Sequence, residues 1–408
     1  MERKLLIIGF VWPEPNSTGS GVRMMQLIQF FLDKEYEITF ASTASKTNYM
    51  VSLEKLGVLS QEIELNNSSF DSFVKNLNPN VVMFDRYLTE EQFGWRVTEQ
   101  VPNAVKVLDT EDLHFLRKER KEAFKEKRAL VSENLWNSDL SKREIASIYR
   151  CDISLIISKY EMELLKFTFN IPNNLLHYLP FLEEEIKENN TPTFEGRKGF
   201  VFIGNFRHEP NWNCVQYLKE SVWPLIRQKL PKAELNIYGS YPPAKAMQLN
   251  KPQEGFNIKG WADSADEVMQ NARICLAPLR FGAGIKGKFI DAMRNGCPVA
   301  TTKIGAEGIK EIIWNGVEED DLETFVDQVV DLYTIKEKWN LSQENGFEII
   351  NVQFNKKQFL NEFEVRFEKL LGSIGEHRNQ SFIGKMLTHQ SMQSTKYMSK
   401  WIEEKNKA

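Results

Sequence analysis

Residues 273–309 read RICLAPLRFGAGIKGKFIDAMRNGCPVATTKIGAEGI. The apolar run Ile274–Pro278 predicts a buried strand, and a helix carrying Asp291 is expected to follow and to stop at Gly296. Between them, Phe281–Lys288 contains three glycines and two lysines. Glycine lets the backbone come close to an anion, and the N–H groups at the start of the next helix point at the same place. The segment therefore predicts a phosphate-binding loop, which suits a phosphorylated sugar donor such as a nucleotide sugar.

Short apolar runs alternate with helical patterns on both sides of this loop. In the N-terminal half the predicted strands are Leu5–Val11, Ile38–Ala41, Val81–Phe84, Ala104–Leu108 and Ile153–Ile157. The alternation restarts at Phe200–Ile203 and continues to Val299–Thr301. Such alternation is typical of parallel sheets covered by helices on both faces. The predicted fold class is therefore α/β, with two doubly wound, Rossmann-like domains that face each other across a cleft.

A polar stretch around Asn189 separates the two predicted sheets. The expected order is an N-terminal domain, a linker, a C-terminal domain, a docking helix and a polar tail, at residues 1–185, 186–198, 199–354, 355–372 and 373–408. The docking helix is expected because apolar side chains recur at spacings of three and four, at Phe359, Phe363, Phe367 and Leu370. The tail has no strong pattern and is expected to be mobile or weakly helical.

Composition excludes several classes of protein. The 408 residues are too many for one hydrophobic core, which agrees with two domains. A net charge of −4 gives no reason to expect nucleic acid as a partner. The four cysteines show no Cys-x-x-Cys spacing, so neither a zinc site nor a disulfide framework is indicated. We expect a cytoplasmic protein, with the inner face of the membrane as an alternative location.

Two segments bear on membrane contact. The apolar run Leu5–Trp12 has the length of a strand, and Pro13 follows where a signal peptide would have its cleavage site. Because no run approaches the ~20 apolar residues that span a bilayer, any membrane contact is expected to be peripheral. The helix predicted over Leu116–Leu130 is rich in lysine and arginine. This composition suits either an anionic lipid surface or, given its interspersed glutamates, a solvated helix.

Polar residues follow two predicted strands of the first domain. Glu111, Asp112 and His114 come after Ala104–Leu108, at a strand edge where they can orient acceptor hydroxyls or contact a transferred sugar. The alternative is that Asp112 caps the next helix. The first strand leads into Gly19–Gly21, a loop that can approach a ligand closely. An NAD site is disfavoured because a methionine replaces the third glycine of the dinucleotide fingerprint.

Three further side chains follow strands of the second domain. Arg207 is expected to clamp a diphosphate, Trp261 to stack on a base, and Glu307 to accept a hydrogen bond from a ribose or sugar hydroxyl. The alternatives are a surface arginine, a core tryptophan and an acid at a helix N-terminus. His208, next to Arg207, is more often structural in such a position.

The motifs Gly204–Arg207, Phe281–Lys288, Asp291–Val299 and Gly305–Gly308 follow one another along the chain. In this order they resemble the retaining glycosyltransferases of the GT-B fold, family 4. The resemblance is weaker over Pro13–Arg23, where the family has a proline and glycine loop. It implies transfer of a sugar from a nucleotide diphosphate sugar to a hydroxyl acceptor, with retention of configuration and without a metal or another cofactor.

The resemblance also implies roles for single residues. The catalytic residues near the donor sugar would be His114, Glu111 and Asp112, and the donor would be bound by Gly21, Arg207, Trp261, Gly284, Lys286, Asp291 and Glu307. Ala283 departs from the family's Glu-x7-Glu motif, because it stands where the first acid is expected. The family's usual lysine after the arginine is replaced by Pro210–Trp212. We expect Lys286 to supply the missing positive charge.

Other activities fit the same motifs. An epimerase or hydrolase of the GT-B fold would release a new isomer or a free sugar, and a non-catalytic nucleotide-sugar binding protein would turn over no donor. The expected partners are a nucleotide-sugar donor and a saccharide, lipid-linked or small-molecule acceptor, with no nucleic acid. The resemblance further suggests polysaccharide or lipid-linked glycan assembly as the setting, with peripheral membrane contact as an open alternative.

Overall fold

Parallel strands form the centre of both halves of the chain. The structure, a computed structural model, describes residues 3–187 and 190–407, which contain one sheet of seven strands and one of six. The first sheet consists of β1 Lys4–Gly9, β2 Glu37–Ser42, β3 Leu59–Glu62, β4 Val81–Asp85, β5 Val105–Asp109, β6 Ile153–Ile156 and β7 Leu176–Tyr178. The second consists of β8 Phe200–Ile203, β9 Leu235–Tyr238, β10 Phe256–Gly260, β11 Ile274–Leu276, β12 Val299–Thr301 and β13 Gly316–Glu318.

Both sheets have a doubly wound topology. The first has the strand order β3-β2-β1-β4-β5-β6-β7 and the second the order β10-β9-β8-β11-β12-β13. The strands of both sheets pair in parallel. The order reverses at β1/β4 and at β8/β11, so the loops after these strands diverge and leave a crevice at the carboxyl edge of each sheet. The predicted α/β class with two doubly wound domains is confirmed.

Helices connect the strands and cover the sheets. The first sheet carries α1 Gly19–Asp33, α2 Ser69–Leu77, α3 Arg86–Gln100, α4 His114–Glu126, α5 Ser132–Asn137, α6 Asp139–Arg150 and α7 Lys159–Glu163. The second carries α8 Glu209–Tyr217, α9 Trp223–Lys229, α10 Ala244–Met247, α11 Ala265–Asn271, α12 Gly287–Arg294, α13 Lys303–Ala306, α14 Leu322–Thr334 and α15 Lys336–Gln353. The chain then continues through α16 Lys356–Gly372, α17 Ile374–Gln380 and α18 Phe382–Lys407.

Strand β1 shows why helices lie on both faces of the first sheet. Its Leu5 and Ile7 enter one hydrophobic core, whereas Leu6 and Ile8 enter another. Successive side chains of a strand point to opposite faces, so a continuous apolar run requires cover on both sides. The second sheet has a core of its own, which includes Phe202.

The chain passes between the two halves at two adjacent places. The Glu183 N–H donates to the Phe354 carbonyl oxygen (2.7 Å), and the Lys356 N–H donates to the Glu183 carbonyl oxygen (2.9 Å). The two crossing segments are therefore tied together by backbone hydrogen bonds. Of the predicted linker, residues 188 and 189, including Asn189, lie outside the described residues.

The C-terminal helices pack on the first half of the chain. The four apolar side chains of α16 named above all lie in the core that includes Leu5. Helix α18 packs against α3 and α6. The sequence led us to expect a mobile or weakly helical tail, whereas the structure has a long helix held by tertiary contacts. Nowhere in the described part of the chain does a helix combine the length and the apolar composition that crossing a bilayer requires.

Removing the Phe363 ring should destabilise the protein. Phe363 is fully buried, with ring centroids 5.1 Å from Phe30 and 5.4 Å from Phe367. We expect Phe363→Ala to lower the free energy of unfolding in urea by ~3–5 kcal/mol, because it leaves a cavity between α16 and α1. The control Val365→Ala lies on the exposed side of the same helix and should change it by less than ~0.5 kcal/mol. Equal effects of the two substitutions would contradict this packing.

Candidate functional site

The carboxyl edges of the two sheets face each other. Helix α1 starts after β1 in the first half, and α12 starts after β11 in the second. Their first residues, Gly19 and Gly287, are so close that a Cβ added at Gly287 would lie 3.4 Å from the Gly19 Cα. Since a helix N-terminus carries unpaired N–H groups and partial positive charge, two such ends converge at one place in the cleft. This is where the sequence predicted phosphate binding.

The two helix starts differ in how they are capped. The Thr18 hydroxyl accepts a hydrogen bond from the Gly21 N–H (2.9 Å), so α1 already has a side-chain cap. A Cβ at Gly21 would lie 2.4 Å from the Glu14 carbonyl carbon, which explains the glycine by packing. At α12 the N-cap residue is Lys286, and no described side chain caps this end by a hydrogen bond. The N-terminus of α12 is thus the more available of the two.

The loop before α4 is held by two buried carboxylates. Glu144 accepts hydrogen bonds from the N–H groups of His114 (3.1 Å) and Phe115 (2.9 Å). Glu161 accepts from the Leu113 N–H (3.0 Å) and, across the cleft, from the Gly284 N–H (2.9 Å). Burial raises the pKa of Glu144 to about 8 and that of Glu161 to about 7. Glu161 therefore joins the loop after β5 to the glycine loop of the other domain.

This loop and the first residue of α4 present the three predicted catalytic residues. Asp112 forms an ion pair with Arg117, and its Oδ1 lies 3.4 Å from the His114 Nε2. Burial opposes ionisation of Asp112, but Arg117 and His114 outweigh it and lower the pKa of Asp112 to about 2. Burial lowers the pKa of His114 to about 4. At neutral pH the pair is therefore an ionised carboxylate beside a neutral imidazole.

Glu111 has a different environment from Asp112. Its φ angle is +61°, in the left-handed region that few non-glycine residues adopt. Burial, and then the charges of Asp109 and Asp85, raise the pKa of Glu111 well above its usual value. Its Oε1 is buried and has no hydrogen-bond partner among the described residues. Arg23 donates to Asp109 (2.8 Å), and both side chains are buried, so this ion pair is part of the structural support of the loop.

An ion pair between Arg120 and Glu307 joins the two domains next to the glycine loop. Arg120 of α4 donates to both carboxylate oxygens of Glu307 (2.6 and 2.7 Å) and to the Gly282 carbonyl oxygen (2.9 Å). Bidentate contacts of this kind fix geometry as well as charge. Glu307, predicted to bind a ribose or sugar hydroxyl, follows α13 and is engaged by Arg120. Because Glu307 follows the last residue of α13, it is not an acid at a helix N-terminus, which was the alternative interpretation.

The glycine loop is packed tightly against the first domain. Gly284 has a φ of +63°, and a Cβ there would lie 2.8 Å from the Asp112 Cβ. Ala283 is half-buried against the core that includes Leu6. A carboxylate at position 283 would be adjacent in sequence to Gly284, whose N–H group donates a hydrogen bond to Glu161. The small side chain of Ala283 is therefore consistent with the packing that surrounds it.

The two lysines of this loop point in different directions. Lys286 is buried and donates to the Gly284 carbonyl oxygen (2.9 Å), and burial lowers its pKa to about 8. Lys288, half-buried in the first turn of α12, donates to the Asn211 Oδ1 (2.5 Å), and burial also lowers its pKa. Asn211 donates to the Asn205 carbonyl oxygen (3.0 Å) in the Arg207 loop. Lys288, which the sequence analysis did not include among the site residues, is thus the lysine linked to that loop.

Aromatic side chains close the rim of the cleft near Arg207. The Arg207 Cζ lies 3.7 Å from the Tyr241 ring centroid, and the Tyr241 hydroxyl donates to the Glu14 carboxylate (2.9 Å). Tyr49 of the first domain stacks on Trp261, with ring centroids 4.4 Å apart. One face of Trp261 is therefore covered by a tyrosine from the opposite domain. Trp261 is neither a core residue nor free on both faces for a base.

Asp291 lies on the side of α12 that faces the domain crossing. Its Oδ1 accepts a hydrogen bond from Arg294 (3.0 Å), which also donates to Glu183 (2.9 Å). Burial raises the pKa of Asp291 to about 6, although Arg294 opposes the shift. His208 is exposed at the start of α8. The predicted site residues therefore form three groups: the α12 start with the α4 loop, the aromatic rim, and the crossing.

Parts of the sequence match a known family model and a curated protein. Residues 197–334 match the sequence model of a family described as "Glycosyl transferases group 1". An uncharacterized 44.6 kDa protein in the cps region of Klebsiella pneumoniae is 27% identical over 175 residues, covering 41% of this chain and 43% of that protein. The chain thus aligns with less than half the length of this curated relative.

Solved structures with the same architecture cover nearly the whole chain. Sucrose-phosphate synthase from Thermosynechococcus elongatus has a TM-score of 0.68 at 13% identity, over 91% of this chain and 100% of that one. S. aureus TarM, as a mutant complexed with fondaparinux, alpha-GlcNAc-glycerol and UDP, has a TM-score of 0.68 at 10% identity (90% and 99%). HepE from Anabaena, in complex with UDP and glucose, has a TM-score of 0.65 at 10% identity (90% and 100%). These structures show that the chain has the GT-B fold, and the glycosyltransferase family model matches residues 197–334 within it.

The burial of Glu161 should make stability depend on pH. Its pKa is about 7 in the folded protein, against an ordinary value of 4.5. Between these values the folded state binds more protons than the unfolded state, so the Glu161 contribution to stability falls as pH rises. We expect the free energy of unfolding of the wild type relative to Glu161→Gln to decline from pH 4.5 to 7, by at most ~1.4 kcal/mol per pH unit. Urea titrations of both proteins at several pH values measure this difference in free energy of unfolding. A difference that stays constant or grows as pH rises would contradict the buried environment of Glu161.

Proposed function

We propose that this chain is a glycosyltransferase that moves a sugar from a nucleoside diphosphate sugar to a hydroxyl acceptor, with retention of configuration and without a metal. The observation that carries the proposal is the convergence of the α1 and α12 starts at Gly19 and Gly287, of which α12 lies in the segment that matches a glycosyltransferase family. Two helix N-termini, the N–H groups of a glycine loop and nearby cations make a site suited to a diphosphate.

The chemical demand of this reaction is the negative charge that develops on the departing diphosphate. Fixed donors aimed at that charge lower the barrier without needing to reorganise. In the proposal, the α12 N–H groups, Arg207 and Lys288 supply them. Lys288 takes the role that the sequence analysis gave to Lys286, because its ammonium lies at Asn211, whereas Lys286 is turned toward Gly284.

The first domain contributes the groups that meet the sugar and the acceptor. Asp112 stands on the loop that packs on Gly284, and His114, the first residue of α4, lies 3.4 Å from Asp112, so both lie next to the proposed diphosphate site. An ionised carboxylate can orient a hydroxyl or stabilise positive charge on the sugar ring, and a neutral imidazole can accept or donate a hydrogen bond. We assign these two roles to Asp112 and His114. Arg120, Glu161 and Glu307 then hold the two domains around the reacting groups.

The comparisons indicate which donor and acceptor to propose for this chain. HepE from Anabaena and S. aureus TarM were solved with UDP, and the Klebsiella pneumoniae relative is described by its cps region. We therefore propose a UDP-sugar donor and a saccharide or lipid-linked acceptor in glycan assembly. Asp291 is proposed to reach the ribose and Trp261 to border the base.

The proposed activity is tested with a panel of UDP-, GDP- and ADP-sugars. We expect one donor class to raise the melting temperature, because a ligand that binds only the native state stabilises it. With a suitable acceptor, the same donor should yield nucleoside diphosphate and a glycoside whose anomeric configuration, read by NMR, is that of the donor. Release of free sugar or of an isomer without acceptor would instead assign a hydrolase or an epimerase. Binding without turnover under all conditions would assign a binding protein.

Lys288 should contribute directly to diphosphate affinity. We expect Lys288→Met to weaken UDP binding, measured by calorimetry, roughly tenfold to a hundredfold, because a charge-assisted hydrogen bond contributes about 1.5–3 kcal/mol. Lys303→Met, on the exposed start of α13, is the matched control and should leave the affinity unchanged. If Lys286→Met weakened binding and Lys288→Met did not, the assignment of the cation would be wrong.

A further inference from the structure

Helix α18 is anchored to the first domain along one face. Gly384 and Ser399 are buried, and a Cβ at Gly384 would lie 2.3 Å from the Tyr149 carbonyl oxygen. The Arg96 Nη2 donates to the Ser399 hydroxyl (3.2 Å). Glu403 accepts a hydrogen bond from the Ser68 N–H (3.0 Å), so contacts with the domain extend along the helix to its last turns. The orientation of the helix about its own axis is therefore fixed.

The opposite face of α18 exposes large apolar side chains to solvent. Phe382 is 75% exposed, Tyr397 66% and Trp401 60%, and Met386 and Ile383 are also exposed. With 3.6 residues per turn, these side chains lie along one stripe that points away from the protein. The stripe consists of two apolar clusters, Phe382, Ile383 and Met386 near the start of the helix and Tyr397 and Trp401 near its end. Exposed apolar clusters aligned on one helix face indicate an interaction site, whereas single exposed apolar residues need no explanation.

Lysines border this apolar stripe. The described helix carries five lysines and two glutamates, although the chain as a whole has a net charge of −4. Lys385, Lys400 and Lys405 are exposed, and the Lys405 Nζ lies 5.3 Å from the Trp401 ring centroid. Of the two glutamates, Glu403 is directed to the first domain as described above, and the exposed Glu404 pairs with Lys407 (2.7 Å). The exposed face therefore combines aromatic and aliphatic groups with a local excess of positive charge.

The composition of the stripe distinguishes between two kinds of partner. A partner helix would need apolar residues through the middle of the seam, where this helix has Gln390 and Gln393. At a lipid–water interface, Trp and Tyr sit at the head-group level and lysines extend their ammonium groups to anionic head groups. The positive charge of the helix is complementary to such a surface.

We propose that α18 docks this protein on an anionic lipid surface, with the stripe Phe382, Ile383, Met386, Tyr397 and Trp401 inserted among the head groups. The helix lies in the plane of the interface, because its opposite face is occupied by α3 and α6. This surface belongs to the domain that carries the Asp112 loop, so docking places that domain against the membrane. The inference stands whether or not the proposed transferase activity is correct.

The test is flotation of the full chain with vesicles of phosphatidylcholine alone and of equal parts phosphatidylcholine and phosphatidylglycerol. We expect binding to the anionic vesicles only, and loss of binding at high salt, where screening weakens the lysine contacts. The double variant Phe382→Ala/Trp401→Ala should lose binding. The matched control Leu341→Ala/Val352→Ala removes two exposed apolar side chains of α15 and should bind as the wild type does.

A second pair of variants tests the charge. Lys400→Glu/Lys405→Glu should lose binding, whereas Lys357→Glu/Lys369→Glu, on exposed positions of α16, should retain it. Circular dichroism and melting temperature confirm that each variant is folded, as expected for exposed positions. Absence of vesicle binding by the wild type, or equal binding by the α18 variants and their controls, would overturn the proposal. So would a wild-type dimer in light scattering that Phe382→Ala/Trp401→Ala dissociates, because a second copy would then occupy the stripe.

Discussion

The close approach of two helix starts is the constraint on which the rest of this structure depends. Gly19 and Gly287 place the starts of α1 and α12 beside each other across the cleft, since a Cβ added at either glycine would be in van der Waals contact with the other residue. Two partially positive helix ends repel each other, so their convergence needs compensation. The Arg120–Glu307 ion pair and the Glu161 carboxylate, which accepts the Gly284 N–H, provide cross-domain attraction beside it. The same geometry leaves the α12 N-terminus suited to an anionic ligand.

The fold was largely predictable because most strands are continuous apolar runs. Runs such as Val81–Phe84 are buried on both faces and can be recognised without knowledge of their neighbours. Strand β3 was missed because it is a mostly exposed edge strand, and β7 and β13 because their three residues, Leu-His-Tyr and Gly-Val-Glu, do not form an apolar run. Helix α4 ends at Glu126, short of the predicted Leu130, because Lys127 adopts a left-handed conformation. A lysine gives no sequence signal for such a helix end.

The site was predictable at the level of loops and not of single side chains. Sequence position placed the glycine loop and the Asp112 loop at strand ends, and the structure brings them into contact. It did not reveal which lysine faces the Arg207 loop, since Lys286 and Lys288 are only two residues apart and their directions follow from packing. Glu161 gave no signal at all, because its importance arises from contacts between segments distant in sequence. The roles assigned to Asp112 and His114 stay predictions.

The central claim is that the start of α12, together with Arg207 and Lys288, holds the diphosphate of the donor. The most direct measurement is a crystal structure of the chain with UDP bound. The account predicts diphosphate oxygens within hydrogen-bonding distance of the first N–H groups of α12 and of the Lys288 ammonium. A diphosphate bound elsewhere, with neither of these groups in contact with it, would contradict the account.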